Sequence, residues 1–245
     1  MIEKKKIIGN WKMNGFSHSI KEVELLIENY DSNYFDVTIC PPFTLLSDFN
    51  NLLDKTALKT GAQNSSQYEN GAFTGEISAS MLKDIGVSTV LVGHSERREI
   101  FKETDEIINL KIKQIIKQSL CPVLCVGETE EERDKNKTFE KVSNQIVKAL
   151  KSNKISDNFC IAYEPIWAIG SGKTPSFEEI VEVHSSIKET IEEKLGNTLS
   201  KKIPVLYGGS VKPNNAQEIL ALLNVDGVLV GGASLKFSEF SQILK

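Results

Sequence analysis

The sequence predicts an α/β protein built as a (β/α)8 barrel, a closed sheet of eight parallel strands with helices around it. Three observations favour this class. Eight short apolar runs recur along the 245 residues, and segments with helical periodicity separate them. Each strand–helix pair takes about 30 residues, which is typical of parallel strands joined by right-handed crossovers. The length suits one domain of this class, so we expect a single domain over residues 1–245.

The apolar runs are the predicted strands. They cover Ile7–Ile8, Val37–Cys40, Ala57–Leu58, Val90–Val92, Val123–Val126, Phe159–Tyr163, Ile203–Tyr207 and Val228–Val230. An open, doubly wound parallel sheet would show the same alternation of strands and helices. The closed barrel is favoured because the strand count is eight and because no Gly-x-Gly-x-x-Gly opens a helix after the first strand.

Helix-capping signals predict where several helices begin. A Ser-x-x-Glu capping box at Ser19 precedes one apolar helical face, and a second box at Ser176 precedes another. Thr104 is predicted to cap a third helix, and Pro213 to lie in the first turn of a fourth. The two apolar faces consist of Ile20, Val23, Ile27 and Tyr30, and of Ile180, Val183, Ile187, Ile191 and Leu195.

Composition and charge exclude several classes of protein. The formal net charge is −4, and 40% of the residues are hydrophobic and 25% charged, which is typical of a globular chain without a polyanion-binding surface. No apolar run approaches the roughly 18 residues of a membrane span, and the N-terminus lacks the apolar core of a signal peptide. We therefore expect no nucleic-acid partner, no membrane association and a cytoplasmic location.

The four cysteines, Cys40, Cys121, Cys125 and Cys160, each lie in or beside an apolar, strand-like run. Their spacing matches no zinc pattern, and a disulfide scaffold in a chain of this length would usually hold more of them. Reduced, mostly buried thiols are the predicted state. Because neither a metal nor a dinucleotide signature is present, no metal and no cofactor are expected.

Polar residues follow several predicted strands, at the face where barrels of this kind hold their active sites. The first strand is followed by Asn10 and Lys12 at alternate positions, which would point the same way. His94 and Glu96 follow the fourth strand, and Glu164 follows the sixth. A carboxylate in apolar surroundings tends to have a raised pKa, because burial penalises its charge. The alternative for Glu164 is a solvated loop acid.

The last two strands end in glycine-rich segments that indicate a phosphate site. Ser210 follows Gly208–Gly209, and the eighth strand ends in Gly231–Gly232. Glycines let backbone N–H groups approach an anion, and the loops after strands seven and eight form the usual phosphate site of a barrel. Two tight turns are the alternative. The small residues 170–172, shortly after Glu164, fit a lid or another phosphate cradle.

Of the three histidines, only His94 is interpreted as a catalytic residue. His18 and His184 are interpreted as helix-surface or otherwise satisfied residues. Ser95 is predicted to cap a helix that begins with Glu96, and the positive end of a helix disfavours a protonated histidine beside it. His94 is therefore expected to be neutral and to donate a hydrogen bond.

Seven motifs run in order from Gly9 to Leu235. They are GNWKMNG, GAQNSSQYENGAFTGEIS, VGHSERRE, CVGET, AYEPIWAIGSGKT, YGGSVKPNNA and DGVLVGGASL. In this order they resemble the triosephosphate isomerase family, whose fold is the TIM barrel. The resemblance implies interconversion of D-glyceraldehyde 3-phosphate and dihydroxyacetone phosphate through an enediolate, in glycolysis and gluconeogenesis.

The resemblance also assigns roles to individual residues. It implies that Glu164 is the base and that His94 is a neutral electrophile that polarises the carbonyl group. Lys12 would be the cation near the enediolate and the phosphate, Asn10 would assist at the substrate oxygens, and Glu96 would support the site from behind. The implied phosphate-binding residues are Gly170, Ser171, Ser210, Gly231 and Gly232.

Two further features follow from the resemblance. Residues 166–174 would form a lid that keeps water from the bound substrate. The segment ENGAFTGE, residues 69–76, resembles the family's intersubunit loop. Thr74 would reach into the neighbouring subunit's site near Lys12 and His94, so a homodimer is expected.

Two alternative functions remain open from the sequence. A barrel isomerase of larger sugar or amino-sugar phosphates would share the phosphate loops and a carboxylate base, although not NWKMN and GHSERR together. A catalytically inactive relative kept as a metabolite-binding protein would not need Asn10, Lys12, His94 and Glu164 intact. A panel of substrates separates the first alternative, and phosphate binding without turnover would indicate the second.

Overall fold

The computed structural model describes residues 4–30, 34–169 and 173–245, and in these residues eight parallel strands form a closed barrel in sequence order. β1 pairs with β2 on one side and with β8 on the other, which closes the sheet. The predicted fold class is confirmed. The strands are β1 Lys5–Asn10, β2 Phe35–Cys40, β3 Lys59–Ala62, β4 Thr89–Val92, β5 Cys121–Val126, β6 Cys160–Tyr163, β7 Val205–Tyr207 and β8 Gly227–Val230.

Helices surround the barrel. The α-helices are α1 Ile20–Asn29, α2 Leu46–Leu53, α3 Ala79–Asp84, α4 Ser95–Glu99, α5 Asp105–Lys117, α6 Glu130–Asp134, α7 Thr138–Leu150, α8 Phe177–Leu195, α9 Asn197–Ser200, α10 Ala216–Ala221 and α11 Phe237–Ile243. Short 3-10 helices cover Ser17–Ser19, Phe43–Leu45, Ile166–Ala168 and Gly232–Ser234. No helix in the described ranges is long and apolar enough to cross a membrane.

Seven of the predicted strands overlap the observed ones, whereas the prediction for the third strand is wrong. The apolar pair Ala57–Leu58 precedes β3, which consists of Lys59, Thr60, Gly61 and Ala62. Leu58 is buried in the larger apolar core, but it precedes the first residue of β3. The strand itself is short and carries little apolar signal, so hydrophobicity alone marked a position two residues too early.

The predicted capping box at Ser19 is also wrong. Ser19 Oγ accepts a hydrogen bond from the N–H of Phe16, outside the helix. Glu22 accepts a hydrogen bond from the N–H of Phe237 at 2.7 Å. Because Phe237 begins α11, Glu22 ties α1 to the last helix, and this tertiary contact replaces the local cap.

The other capping predictions have mixed outcomes. Ser176 and Glu179 form the predicted capping box of α8, and Thr104 Oγ1 caps α5. Pro213 does not lie in the first turn of a helix, because α10 begins only at Ala216. It lies instead in the turn that leads to that helix.

The barrel interior is a small apolar core of its own, separate from the larger core between strands and helices. Its members are Ile8, Cys40, Leu91, Val123, Cys125, Cys160, Ala162, Leu206 and Leu229. Successive side chains of a strand point to opposite faces. The residues two positions after interior Ile8 and Ala162 are Asn10 and Glu164. The strand pleat therefore aims both over the carboxyl end of the barrel.

Candidate active site

One cavity of about 620 Å³ opens at the carboxyl ends of the strands. Seven of the residues to which the resemblance assigns a role line it: Asn10, Lys12, His94, Glu164, Ser210, Gly231 and Gly232. Glu96 does not line the cavity, but it contacts Lys12 and His94. Thr74 is exposed in the loop after β3. Gly170 and Ser171 lie outside the described residues.

Glu164 directly follows β6, and its side chain is only 3% exposed. Its backbone N–H donates to the carbonyl of Val126 at 2.7 Å, which ties it to the end of β5. Its Oε1 lies 3.0 Å from His94 Nε2, and its Oε2 accepts a hydrogen bond from the N–H of Ser95 at 3.1 Å. The alternative of a solvated loop acid is therefore wrong.

The expectation of a raised pKa for Glu164 is also not met in this geometry. Burial works to raise the pKa of this carboxyl group. The charge and hydrogen bond of His94, the N–H of Ser95 and the charge of Lys12 outweigh burial, so the pKa is lowered. Breaking the contact with His94 would therefore leave burial as the dominant influence and make Glu164 more basic.

His94 itself caps helix α4, in place of the predicted cap Ser95. Its Nδ1 accepts a hydrogen bond from the N–H of Glu96 at 3.2 Å, and the helix begins at Ser95. A ring nitrogen that accepts a hydrogen bond carries no proton. This network therefore assigns the single proton of a neutral imidazole to Nε2, which donates it to Glu164.

Opposing influences act on the pKa of His94. Burial lowers this pKa, but the carboxylates of Glu164 and Glu96 outweigh burial and raise it. The hydrogen bond that Nδ1 accepts from the N–H of Glu96 acts against the second proton, because protonation of Nδ1 would break it. The raised pKa of His94 therefore works against the neutral state that the sequence predicts, whereas the hydrogen bond at the start of α4 favours it.

The turn at Gly93 places His94 above the barrel. Gly93 has a φ of +70°, in the left-handed region that side chains other than glycine rarely adopt. A Cβ at this position would lie 3.0 Å from Arg98 Nη2 and from Ile108 Cδ1. The turn breaks the alternation of β4, so that His94 meets Glu164 instead of pointing at the helices.

Lys12 has a left-handed backbone with a φ of +53°, which is unusual for lysine. Its N–H donates to Asn10 Oδ1 at 3.0 Å, and its carbonyl accepts from Gln63 Nε2 at 2.9 Å. Lys12 Nζ lies 2.6 Å from Glu96 Oε1. Asn10 and Gln63 thus hold the backbone while Glu96 orients the ammonium group.

The glycine pair after β8 faces this lysine. The Cβ position of Gly231 lies 3.7 Å from Lys12 Cε, and no described atom lies within 4 Å of the Cβ position of Gly232. Ser210 lines the same cavity from the loop after β7. The backbone at Gly231 and Gly232 and the ammonium group of Lys12 therefore lie at one end of the cavity, where the glycine pattern predicts a phosphate site.

Several residues that shape the site were missed from the sequence. Gln63 follows β3 directly, and its position at a strand end was the available signal. Lys212 and Glu239 line the cavity beyond the glycine pair. No group of three His, Cys, Asp or Glu residues suited to a metal ion occurs in the described ranges.

Comparisons with known proteins identify the family. The triosephosphate isomerase family model matches residues 5–245. The triosephosphate isomerase of Alkaliphilus oremlandii (strain OhILAs) is 49% identical over 241 residues, which cover 97% of each chain. That of Clostridium tetani (strain Massachusetts / E88) is 44% identical over 247 residues, or 99% of this chain and 96% of the relative. The crystal structure of triosephosphate isomerase from Bartonella henselae matches with a TM-score of 0.91 at 40% identity, covering 98% of this chain and 97% of that one. The chain belongs to the triosephosphate isomerase family.

Proposed function

We propose that this chain interconverts D-glyceraldehyde 3-phosphate and dihydroxyacetone phosphate, with Glu164 as the base. The observation that carries the residue roles is the contact between buried Glu164 and His94 at the floor of the cavity. A carboxylate and an imidazole N–H side by side supply a proton acceptor and a proton donor for neighbouring atoms of one substrate. The reaction moves protons within one molecule and needs no cofactor in this scheme.

In the proposed reaction, Glu164 takes a proton from the carbon beside the carbonyl group. The electron pair of that C–H bond forms a carbon–carbon double bond, and the π pair of the carbonyl group moves to its oxygen, which becomes the enediolate oxygen. His94 Nε2–H donates to that oxygen, and the ammonium group of Lys12 stabilises its negative charge. The proton of the neighbouring hydroxyl group then passes through His94 to the enediolate oxygen, and that hydroxyl oxygen becomes the new carbonyl oxygen. Glu164 returns its proton to the former carbonyl carbon, so that the product is the isomer and the base is restored.

Glu164 must release His94 and Ser95 to act as this base. Both contacts occupy carboxylate oxygens and hold the pKa down. When substrate takes over the Nε2–H of His94, the carboxylate loses that stabilisation while it remains buried. Its proton affinity then rises, which matches the base to a carbon acid.

Asn10, Lys12 and Glu96 form the supporting part of the proposed mechanism. Asn10 fixes the backbone of Lys12 and faces the substrate oxygens, and Glu96 aligns the ammonium group. Ser210, Gly231 and Gly232 bind the phosphate. Gly170 and Ser171 join them in this proposal as residues of the lid. Binding energy from the unreacting phosphate thus serves the chemical step.

The test is a coupled assay that converts D-glyceraldehyde 3-phosphate to dihydroxyacetone phosphate without added metal or nucleotide on this enzyme. The wild type is compared with Glu164→Gln and with Glu99→Gln, an exposed acid outside the cavity. Turnover that is lost only in Glu164→Gln supports the reaction and the base. A folded wild type that binds phosphate without turnover contradicts the proposal and favours a binding protein.

The homodimer is part of the same proposal. Apolar side chains are exposed in the loops after β1, β2 and β3, which are neighbours in the barrel: Met13 (96% exposed), Phe16 (73%), Phe43, Tyr68 and Phe73. An exposed group of this kind is typical of a protein interface. Thr74, beside Phe73, would reach the neighbouring site. Light scattering at micromolar concentration should give twice the 27.2 kDa chain mass, and a fully active monomer would contradict the dimer.

The cytoplasmic location is supported by the thiols. All four cysteines are free, and three of them are buried. Free thiols are typical of a reducing compartment. Fractionation of the cells that produce the protein tests this location, and recovery from an oxidising compartment would contradict it.

A further inference from the structure

Two charged residues lie at the rim of the cavity beyond the glycine pair. Lys212 and Glu239 both line the cavity and are exposed. Neither has an ion pair within the described ranges. Lys12, in contrast, is already paired with Glu96 at 2.6 Å. Of the two lysines that line the cavity, Lys212 is therefore the one that forms no ion pair with a described acid.

The turn after β7 fixes Lys212 close to the phosphate side. Asn215 Oδ1 accepts the N–H of Lys212 at 2.8 Å, and Asn215 Nδ2 donates to the carbonyl of Ser210 at 3.0 Å. One amide side chain thus connects Ser210 and Lys212. Pro213 restricts the backbone of Lys212 to extended conformations. The start of the lysine side chain is therefore set relative to Ser210.

We propose that Lys212 attracts the phosphate group of the substrate to the mouth of the cavity and increases the affinity for the dianion. This inference rests on the proposed function. The role of Lys212 is electrostatic positioning, whereas the chemical step belongs to Glu164, His94 and Lys12. Glu239 opposes Lys212 at the same rim, and its charge reduces the attraction.

Electrostatic attraction by an exposed lysine depends strongly on the salt concentration. The Debye length is about 30 Å at an ionic strength of 0.01 M and about 3 Å at 1 M. An exposed lysine that acts at a distance is effective in the first condition and screened in the second. A lysine needed for the structure of the turn, or one in tight contact with the phosphate, would show its effect at both ionic strengths.

The first experiment measures kcat and KM at both ionic strengths for Lys212→Gln, Glu239→Gln and Lys201→Gln. Lys201 is the matched control, because it is exposed and lines a different cavity. In 0.01 M salt, kcat/KM of Lys212→Gln should fall about 3–10-fold through KM, with kcat unchanged. Glu239→Gln should raise kcat/KM about 2-fold, and Lys201→Gln should change it by less than about 1.5-fold. At 1 M salt all three should match the wild type.

The proposed role of Lys212 is contradicted if Lys212→Gln lowers kcat or keeps its lowered kcat/KM at 1 M salt. It is also contradicted if Lys212→Gln and Lys201→Gln have the same kcat/KM at low salt. A second measurement separates this inference from the proposed function. Inorganic phosphate is titrated by calorimetry into the same variants in low salt. The dissociation constant should rise about 3–10-fold for Lys212→Gln alone. This outcome would support Lys212 even if the wild type had no isomerase activity, and an unchanged constant would contradict it.

Discussion

His94 Nε2 and Glu164 Oε1 lie 3.0 Å apart, so the protonation of the proposed electrophile is coupled to that of the proposed base. Each residue moves the pKa of the other: Glu164 raises that of His94, and His94 lowers that of Glu164. The pair joins the loops after β4 and β6, which are 70 positions apart in the chain. Its consequences can be measured on each residue separately.

Replacement of Glu164 by Gln should lower the pKa of His94. Burial already works to lower this pKa, and the Glu164 carboxylate is the largest influence that raises it. Without the carboxylate, the pKa should fall below the ordinary value of 6.5. The ring nitrogens can be followed by NMR titration, because the chain has only three histidines.

The matched control for this titration is Glu99→Gln, which removes an exposed acid from α4, the helix that His94 caps. It should leave the pKa of His94 unchanged. An equal pKa in Glu164→Gln and the wild type would mean that the contact does not govern the imidazole. In the same Glu164→Gln variant, kcat should fall about 10²–10⁴-fold, as expected for loss of a general base.

Replacement of Lys12 by Ala should raise KM and lower kcat together. In the proposed mechanism the ammonium group, whose Cε lies 3.7 Å from the Cβ position of Gly231, stabilises both the phosphate and the developing enediolate. Loss of either interaction alone would change one constant only. Steady-state kinetics against Lys201→Ala measure the effect, and an unchanged KM for Lys12→Ala would contradict the proposed role of its charge.

Replacement of Gly127 by Ala should displace Glu164 and destabilise the fold. A Cβ on Gly127 would lie 1.8 Å from the carbonyl oxygen of Glu164, which cannot move without breaking the junction of β5 and β6. We expect a loss of about 3 kcal/mol in the free energy of unfolding, measured in urea, and a lower kcat.

Gly232→Ala is the matched comparison for Gly127→Ala. The Cβ of this variant would enter open space in the cavity. It should keep the stability of the wild type but raise KM, because the methyl group would occupy the proposed phosphate end of the cavity. Equal stability of the two variants would show that the close approach at Gly127 is not needed.

Residues whose position follows from strand alternation could be predicted from the sequence. Asn10 and Glu164 follow interior residues of β1 and β6 by two positions, so the pleat of the strand decides their direction. Gly231 and Gly232 could be proposed as site residues because two successive glycines follow a predicted strand. The direction of the His94 side chain does not follow from strand alternation, because the left-handed turn at Gly93 reverses it.

Features that depend on contacts between distant segments could not be predicted in this way. The lowered pKa of Glu164 follows from His94 and Ser95, which no local pattern connects to β6. Glu22 fits a capping box by spacing, yet it binds the N–H of Phe237 some 215 positions away. Glu22 binds this distant group instead of the local one because an N–H at the start of a helix has no partner within its own helix.

His184 is a buried group that the sequence placed at a helix surface or among satisfied residues. It is fully buried in α8, and its ring lies beside those of Tyr163 and Tyr207. Nδ1 lies 3.0 Å from the carbonyl of Asn224, whereas Nε2 has no hydrogen-bond partner in the described part of the chain. Burial lowers the pKa of His184 to about 4.

Replacement of His184 by Gln should therefore reduce the loss of stability in acid. In the wild type the unfolded chain binds a proton at His184 below the ordinary pKa of 6.5, whereas the folded chain does so only below about 4. The unfolded state binds more protons in this window, so stability falls as the pH is lowered from 6.5 to 4, by about 3 kcal/mol from this residue. Urea unfolding at a fixed protein concentration at both pH values measures the difference.

His184→Gln should lose about 3 kcal/mol less stability than the wild type between pH 6.5 and pH 4. The control is His18→Gln, which alters an exposed histidine and should behave as the wild type does. Equal losses in all three proteins would mean that His184 is protonated in the folded chain as readily as in the unfolded one.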